Sequence, residues 1–465
     1  MSFFVRRRAR TKKRPIPQLR LELLESRDLL SKLQAPVLAL VPNSAVTATA
    51  SQSGNWSDPN TWQNQQAPAA NDNVLIPSNV TVTVDTTTNA VHTIRVDGTL
   101  QFATNLNTNL LVDTLVVNTT ANLIIGTATT PIAAQNQATI TFTSNGPIDT
   151  TWDPYSLSRG LLSLGTVTIC GATTMPWVGL AGSASAGDIT LTLATLPTNW
   201  NASDVIVLGG TYAKVNQDEV LTVQSIQGTQ ITLSVPLAYD HTASNGIPVY
   251  VTDATRNVVF QSQDQSTIGN RGHVMSLSNL VNVNNAEFLG LGRTNKSVVI
   301  NDPELDSQGH LISGTGTNPR DRDPVVFYED GTSGNPAAVN GSTVVHSPGW
   351  GFVNHSSYAN FAIDVAFDVN GASFVSEAGD EIGSFSTNLA IHSVGTGDEE
   401  FYDPPRVAVQ DWAHEGDGFW MQGNGVSVTN NIAIGQLAAG YYYFFKPYAP
   451  PGAKRGPQRF AHKLP

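Results

Sequence analysis

Carboxylates and histidines are sparse in this sequence, and where they fall close together their spacing suggests chemistry. Residues 372–386 read ASFVSEAGDEIGSFS, which sets Glu377, Asp380 and Glu381 inside five positions among small and apolar residues. Two such carboxylates could act as acid and base on a glycosidic bond. With Ser and backbone oxygens they could hold Ca²⁺, or they could be a solvated turn. His346, Asp368 and His392 follow one another at 22 (346 to 368) and 24 (368 to 392) positions, and His355 and Glu377 are 22 apart (355 to 377). A chain returning on itself with that period would stack these groups about 4.7–4.9 Å apart, close enough to share a proton or an ion. Asp368, Glu377 and Glu381 are therefore the candidate catalytic residues. His346, Asp368, His392 and Asp380 are the candidate metal ligands, for calcium or another divalent cation. The open alternative is a hydrogen-bonded ladder with no ion.

The period itself comes from a repeat. GWGFV begins at Gly349, GASFV at Gly371, GDGFW at Gly416 and GYYYF at Gly440. The long middle interval is read as two periods, with Gly395 marking the coil between. One short set of strands every 22 residues or so describes a solenoid, and the expected form is a right-handed parallel β-helix. Phe352, Phe374, Phe419 and Tyr443, each three residues after its glycine, should stack through its core. Upstream, NVLIPSNVTVTVD, VHTIRVDGTLQF and ATITFTSNG alternate apolar with polar residues at strand length. The fold class is all-β, and the expected organisation is a basic segment at 1–34, a linker at 35–50, a β domain at 51–150, a small β unit at 151–256, the β-helix at 257–445 and a basic, Pro-rich tail at 446–465. The solenoid is expected to lack its last coils, since that tail does not resemble a cap.

Composition narrows the function. The net charge is −12 although both ends are basic, so the body is acidic, and binding to nucleic acid phosphates is not expected. The single Cys170 rules out an intrachain disulfide and reads as a small buried residue. No apolar run approaches the ~20 residues that a membrane-spanning helix needs.

Residues 54–85, GNWSDPNTWQNQQAPAANDNVLIPSNVTVTVD, with GTLQF and NLIIG, resemble the eight-glycine (G8) domain. The likeness continues through TRNVVF, NNAEFLGLGRTNKS, DPELDSQGHLISGTGTNPR and the EAGDE coil. This order is similar to the extracellular proteins that join a G8 domain to a β-helix, among them cell-surface hyaluronidases, hyaluronan-binding proteins and bacterial relatives. LELLESRDLLS also resembles the LExR-x-LL element of exported bacterial surface proteins. The resemblance implies a secreted or cell-surface protein that binds an extracellular polysaccharide and, as a hyaluronidase-like glycoside hydrolase, cleaves it. Two departures stand out. Asn71 and Asn79 occupy positions where glycine is usual, and Asn tolerates positive φ well enough to keep such turns. Val326, Phe327 and Tyr328 replace a His-Phe-His of relatives, which removes two donors from any metal or acid–base role there. Arg293 and Lys296 are candidate contacts for an anionic sugar, or partners of Asp302 or Glu304. Trp350, Trp412, Trp420 and Tyr441 are candidates for stacking on sugar rings, with Trp350 and Trp420 favoured. The alternative function is a non-catalytic adhesion or structural module.

Overall fold

The computed structural model describes residues 32–212, 215–331, 333–397 and 404–444 and the backbone of Ala461–Leu464. The basic N-terminal stretch up to residue 31, read from the sequence as an export element, and the rest of the tail lie outside the described residues. Short strands alternate along the chain because inward positions are apolar and outward ones polar. Asn73–Ile76, Thr81–Val84, Thr99–Phe102 and Asn122–Ile125 each alternate half-buried with buried residues, turning Val74, Ile76, Val82, Val84, Leu100, Phe102, Leu123 and Ile125 inward. A strand this short cannot bury its apolar face alone, so coils stack and share one continuous core.

Three parallel ladders form the walls of the β-helix. The first runs through Asn73–Ile76, Val91–Val96, the second half of Thr108–Val117, Gly160–Ser163, His273–Ser276, Val325–Gly331, the start of Phe352–Ala362, Ala372–Ser376, Asp417–Met421 and Tyr441–Phe444. The second links Thr81–Val84 through Thr166–Cys170 to Ile382–Ser386 and Val426–Thr429. The third links Ala138–Phe142 and Val258–Ser262 to Val365–Asn370, Leu389–Val394 and Ile432–Ile434.

This continuity changes the expected organisation. The β domain placed at 51–150 and the β-helix placed at 257–445 are one solenoid with an unbroken first ladder. The small β unit is a six-stranded antiparallel sheet from Trp177 to Asp253, narrower than 151–256, inserted between a second-ladder and a third-ladder strand. Local pattern could not show this, because alternating strands look the same whether they pair with a neighbour or with a coil 120 positions away, as Ala138 does with Val258. The interval from Gly371 to Gly416 is one coil with an insertion, since Ala372–Ser376 pairs directly with Asp417–Met421. The core stack runs Phe352–Phe374–Phe419–Tyr441 at 5.1, 4.9 and 4.9 Å between centroids. Tyr441 therefore ends it in place of Tyr443, because Gly440 aligns with Gly418 and moves the register by two. Asn71 and Asn79 have φ of +65° and +67°, as their substitution for glycine required.

Long loops leave the β-helix at one corner, between the third and first ladders, at 143–159, at 290–324 and at a third stretch described at 395–397 and 404–416. They pack on one another over the outer face of the first ladder. Arg293 and Arg322 reach from the second loop to backbone oxygens of Tyr155, Ser156 and Ser158 in the first. Lys296 ties the second to the third through Asp411 at 2.7 Å. This cover frames the candidate site.

Candidate functional site

Where the first ladder reaches its far end, register places Tyr328, His355 and Glu377 on successive coils: Tyr328 pairs with His355, and Asn354 with Ser376 one position earlier. The same column holds Leu164 and Leu277 in the two coils before Tyr328, with Asp97 and Asn118 in the coils before those, so it passes from apolar to ionisable again on reaching Tyr328. The covering loop adds Asp321 and Arg320. His355 Nδ1 lies 3.1 Å from Asp321 Oδ1 and 2.9 Å from Glu377 Oε2. Arg320 Nη1 stands 3.8 Å from Glu377 Oε1, while its Nε bonds Asp302 at 2.7 Å. The Tyr328 and His355 rings are 4.7 Å apart.

Electrostatics follows from burial and convergence. Burial opposes a charge on His355, but Glu377 and Asp321 outweigh it and hold the imidazole well above its ordinary value. Burial also works against an ionised Asp321, yet His355, Arg320 and Arg322 bring its carboxyl below the usual range. Burial pushes the Tyr328 phenol up, helped by the negative charge of Asp321 and Glu329. The result is an imidazole whose charged form is favoured by two carboxylates, beside a half-buried guanidinium.

Of the other expected catalytic residues, Glu381 serves a turn. Its carboxylate accepts backbone N–H groups of Ala378, of Gly379 at 2.8 Å and of Ser356 at 3.2 Å. Burial still raises its pKa above those opposing bonds. Asp368 belongs to a different corner, so Asp368, Glu377 and Glu381 do not form one catalytic set. The spacing argument does hold for His346, Asp368 and His392: His346 Nδ1 is 2.6 Å from Asp368 Oδ2, and His392 Nδ1 is 3.3 Å from Oδ1. All three have left-handed φ, +63°, +55° and +58°, with Gly290 and Gly435 at the equivalent positions of the flanking coils. That kink turns each side chain outward. The ligand atoms of these three residues do not all come within 4.8 Å of one another. Asp380 is exposed in the EAGDE turn and is not part of the ladder. The expected metal set is thus corrected. Among the described residues, the group whose ligand atoms all lie within 4.8 Å of one another is Asp321, His355 and Glu377.

The expected sugar contacts are also corrected. Arg293 is buried, its guanidinium bonded to backbone oxygens of Ser156, Ser158, Arg159 and Arg271. Lys296, 2% exposed, pairs with Asp411 and sits 3.8 Å above the Trp350 ring. Neither partner proposed for these cations, Asp302 or Glu304, is used; Asp302 holds Arg320. Trp350 and Trp420 are 2% and 0% exposed, and Trp420 stacks on Tyr442 at 4.7 Å. Trp412 is buried as well, and Tyr441 closes the core stack. These residues lock the loop cover to the β-helix. Sequence reasoning missed Asp321 and Arg320, which lie in an irregular loop with no periodic signal.

Residues 61–181 match the family model of the G8 domain. That segment covers the early coils and reaches the first strand of the inserted sheet. A G8 domain-containing protein of Dictyostelium discoideum is 26% identical over 357 residues, 73% of this chain and 23% of that protein. Communication mutant protein F of the same organism is 23% identical over 364 residues, 75% of this chain and 30% of its own length. Fibrocystin of Mus musculus is 26% identical over 218 residues, 43% of this chain and 5% of that protein. The chain thus spans less than a third of each of these relatives. Among solved structures, a tailspike of an Acinetobacter baumannii bacteriophage aligns with 78% of this chain and 61% of its own, at 10% identity and a TM-score of 0.18. The fold assignment rests on the strand pairing itself.

Proposed function

We propose that the protein is a secreted or cell-surface module that binds an extracellular polysaccharide on the side of its β-helix, with Asp321, His355 and Glu377 at the point of contact. The observation that carries this reading is the convergence of both carboxylates on one imidazole nitrogen. Nothing in the packing of a parallel solenoid requires that arrangement, since the same column holds Leu277 two coils before His355. Arg320, 29% exposed beside Glu377, offers a cation to an anionic sugar. Cleavage is the stronger form of the proposal. Glu377 would donate a proton to the glycosidic oxygen as its bond to the anomeric carbon breaks, and Asp321 would take a proton from the water that attacks that carbon.

A second reading, a binding or structural module without catalysis, is favoured by the burial of Trp350, Trp420, Arg293 and Lys296. The two readings part in a depolymerisation screen on the full chain with hyaluronan, pectin and sulfated glycans, read by product size and reducing ends. New reducing ends that disappear in Glu377→Gln support cleavage. Retention of an intact polymer on the protein supports binding alone. No interaction with any glycan removes both carbohydrate readings.

A further inference from the structure

The contact between Glu377 and His355 has an odd geometry. Nδ1 bonds Asp321 Oδ1, whereas Glu377 Oε2, only 2.9 Å from the same nitrogen, lies outside hydrogen-bonding geometry. A ring nitrogen carries one in-plane hydrogen, so it cannot serve both oxygens at once. Glu377 is 6% exposed, and this buried oxygen therefore has no hydrogen-bond partner. Arg320 does not supply one, since it approaches the other oxygen, at 3.8 Å. One nitrogen and two carboxylate oxygens thus lie within 4.8 Å of one another.

We infer that Asp321, His355 and Glu377 form a three-ligand site for a divalent metal ion of the zinc, manganese or iron class. The separations fit. Ligands at about 2.1 Å from a metal are about 3.0 Å apart at the right angles of an octahedral set and about 3.4 Å apart in a tetrahedral one, and the two nitrogen–oxygen separations are 3.1 and 2.9 Å, nearer the octahedral value. Calcium takes all-oxygen ligands and does not suit the imidazole, so the calcium expected from the sequence is not the ion proposed. An imidazole with carboxylates suits first-row metals. The two carboxylates offset the ion's charge, and positions left open would take water or a sugar oxygen. Register puts Tyr328 beside His355 in the column, one coil from the ion.

The inference rests on the reading of this cluster as the functional centre, and its test separates the two. Full-length, metal-free protein is titrated calorimetrically with Zn²⁺ and with Mn²⁺ at pH 7.5 and 6.0. The expected result is binding of one ion per chain, weaker by about 10-fold at the lower pH because His355 must release a proton. Glu377→Gln and Asp321→Asn should each weaken it about 100-fold, and His310→Ala, an exposed surface histidine, should leave it unchanged. Co²⁺ added to the unmutated chain should give visible d–d bands that zinc abolishes, a readout that needs no variant to fold. Absence of saturable binding, equal affinity in the variants, or displacement of zinc by equimolar calcium overturns the site. Polymers left intact by a protein that binds zinc uphold the site and remove only the depolymerase reading. Cleavage in chelator by a protein that binds no zinc does the reverse.

Discussion

Asp368 lies between two imidazoles, and its carboxyl is held well below its usual range by the hydrogen bond from His346 and then by that from His392. His392 is raised in turn by its bond to Asp368, against some burial. A depressed carboxyl stabilises the fold above its unfolded pKa of about 3.9, and that contribution fades as pH falls through the folded value. A raised imidazole stabilises below about 6.5 and fades as pH climbs through its folded value. The ladder therefore contributes most between about pH 4 and 6.5. Its exposure keeps the effect to about 1 kcal/mol or less. Asp368→Asn should lower the thermal midpoint in that window and converge with the parent protein at both extremes, as scanning calorimetry across pH would reveal. His355, also raised, follows the histidine rule: in metal-free protein, His355→Gln should cost most at pH 6 and below, and the gap should close at alkaline pH. These ladders were legible in the sequence because equal spacing in a solenoid becomes contact. Asp321 was not legible, since an irregular loop carries no register.

At the scale of elements, stability comes from stacks within walls and from charges that pin loops to them. Phe374 is in contact with Phe352 and Phe419 in near-parallel planes, 13° and 9° apart. Phe374→Ala removes both contacts and opens a cavity, for a loss of about 3–5 kcal/mol, measurable as a lower urea midpoint. Lys296 is a different kind of fastening. It joins two loops by burying its ammonium between Asp411 and the Trp412 carbonyl, above the Trp350 ring. Lys296→Ala leaves Asp411 with Arg406 and the Ile300 N–H and should cost about 3 kcal/mol. The damage should be local, appearing as faster proteolysis within the 290–324 and 395–416 loops. Composition misled the reading of Lys296 and Trp350: a rare cation and a large aromatic in an acidic chain suggest a ligand surface, but here they meet each other. Only tertiary contact decides between those outcomes, because either side chain can be buried when it has a partner.

For the whole molecule, the inserted sheet is held to the β-helix by an apolar contact. Val207 of the insert and Ala254 beside it pack with Val345, Val365, Phe367, Leu389 and Ile391 of the third ladder. The insert also has its own core around Leu191, Ile206, Leu221, Val223 and Val251. It should therefore keep its fold while losing its seat. Its seat matters to the charged corner as well, since Asn216 of the insert reaches His392 Nε2 at 3.1 Å and Asp218 acts on the same imidazole. Val207→Asp would bury an unpaired charge against Phe367 and Ile391. Hydrogen exchange should then rise along Val365–Asn370 and Leu389–Val394 and along the facing edge of the insert, with the coils before residue 170 unchanged. Uniform loss of protection over the chain would mean that insert and solenoid fold as one unit. Protection lost at the seam alone would mean that the β-helix, from its early coils onward, is the scaffold and the insert is a passenger upon it.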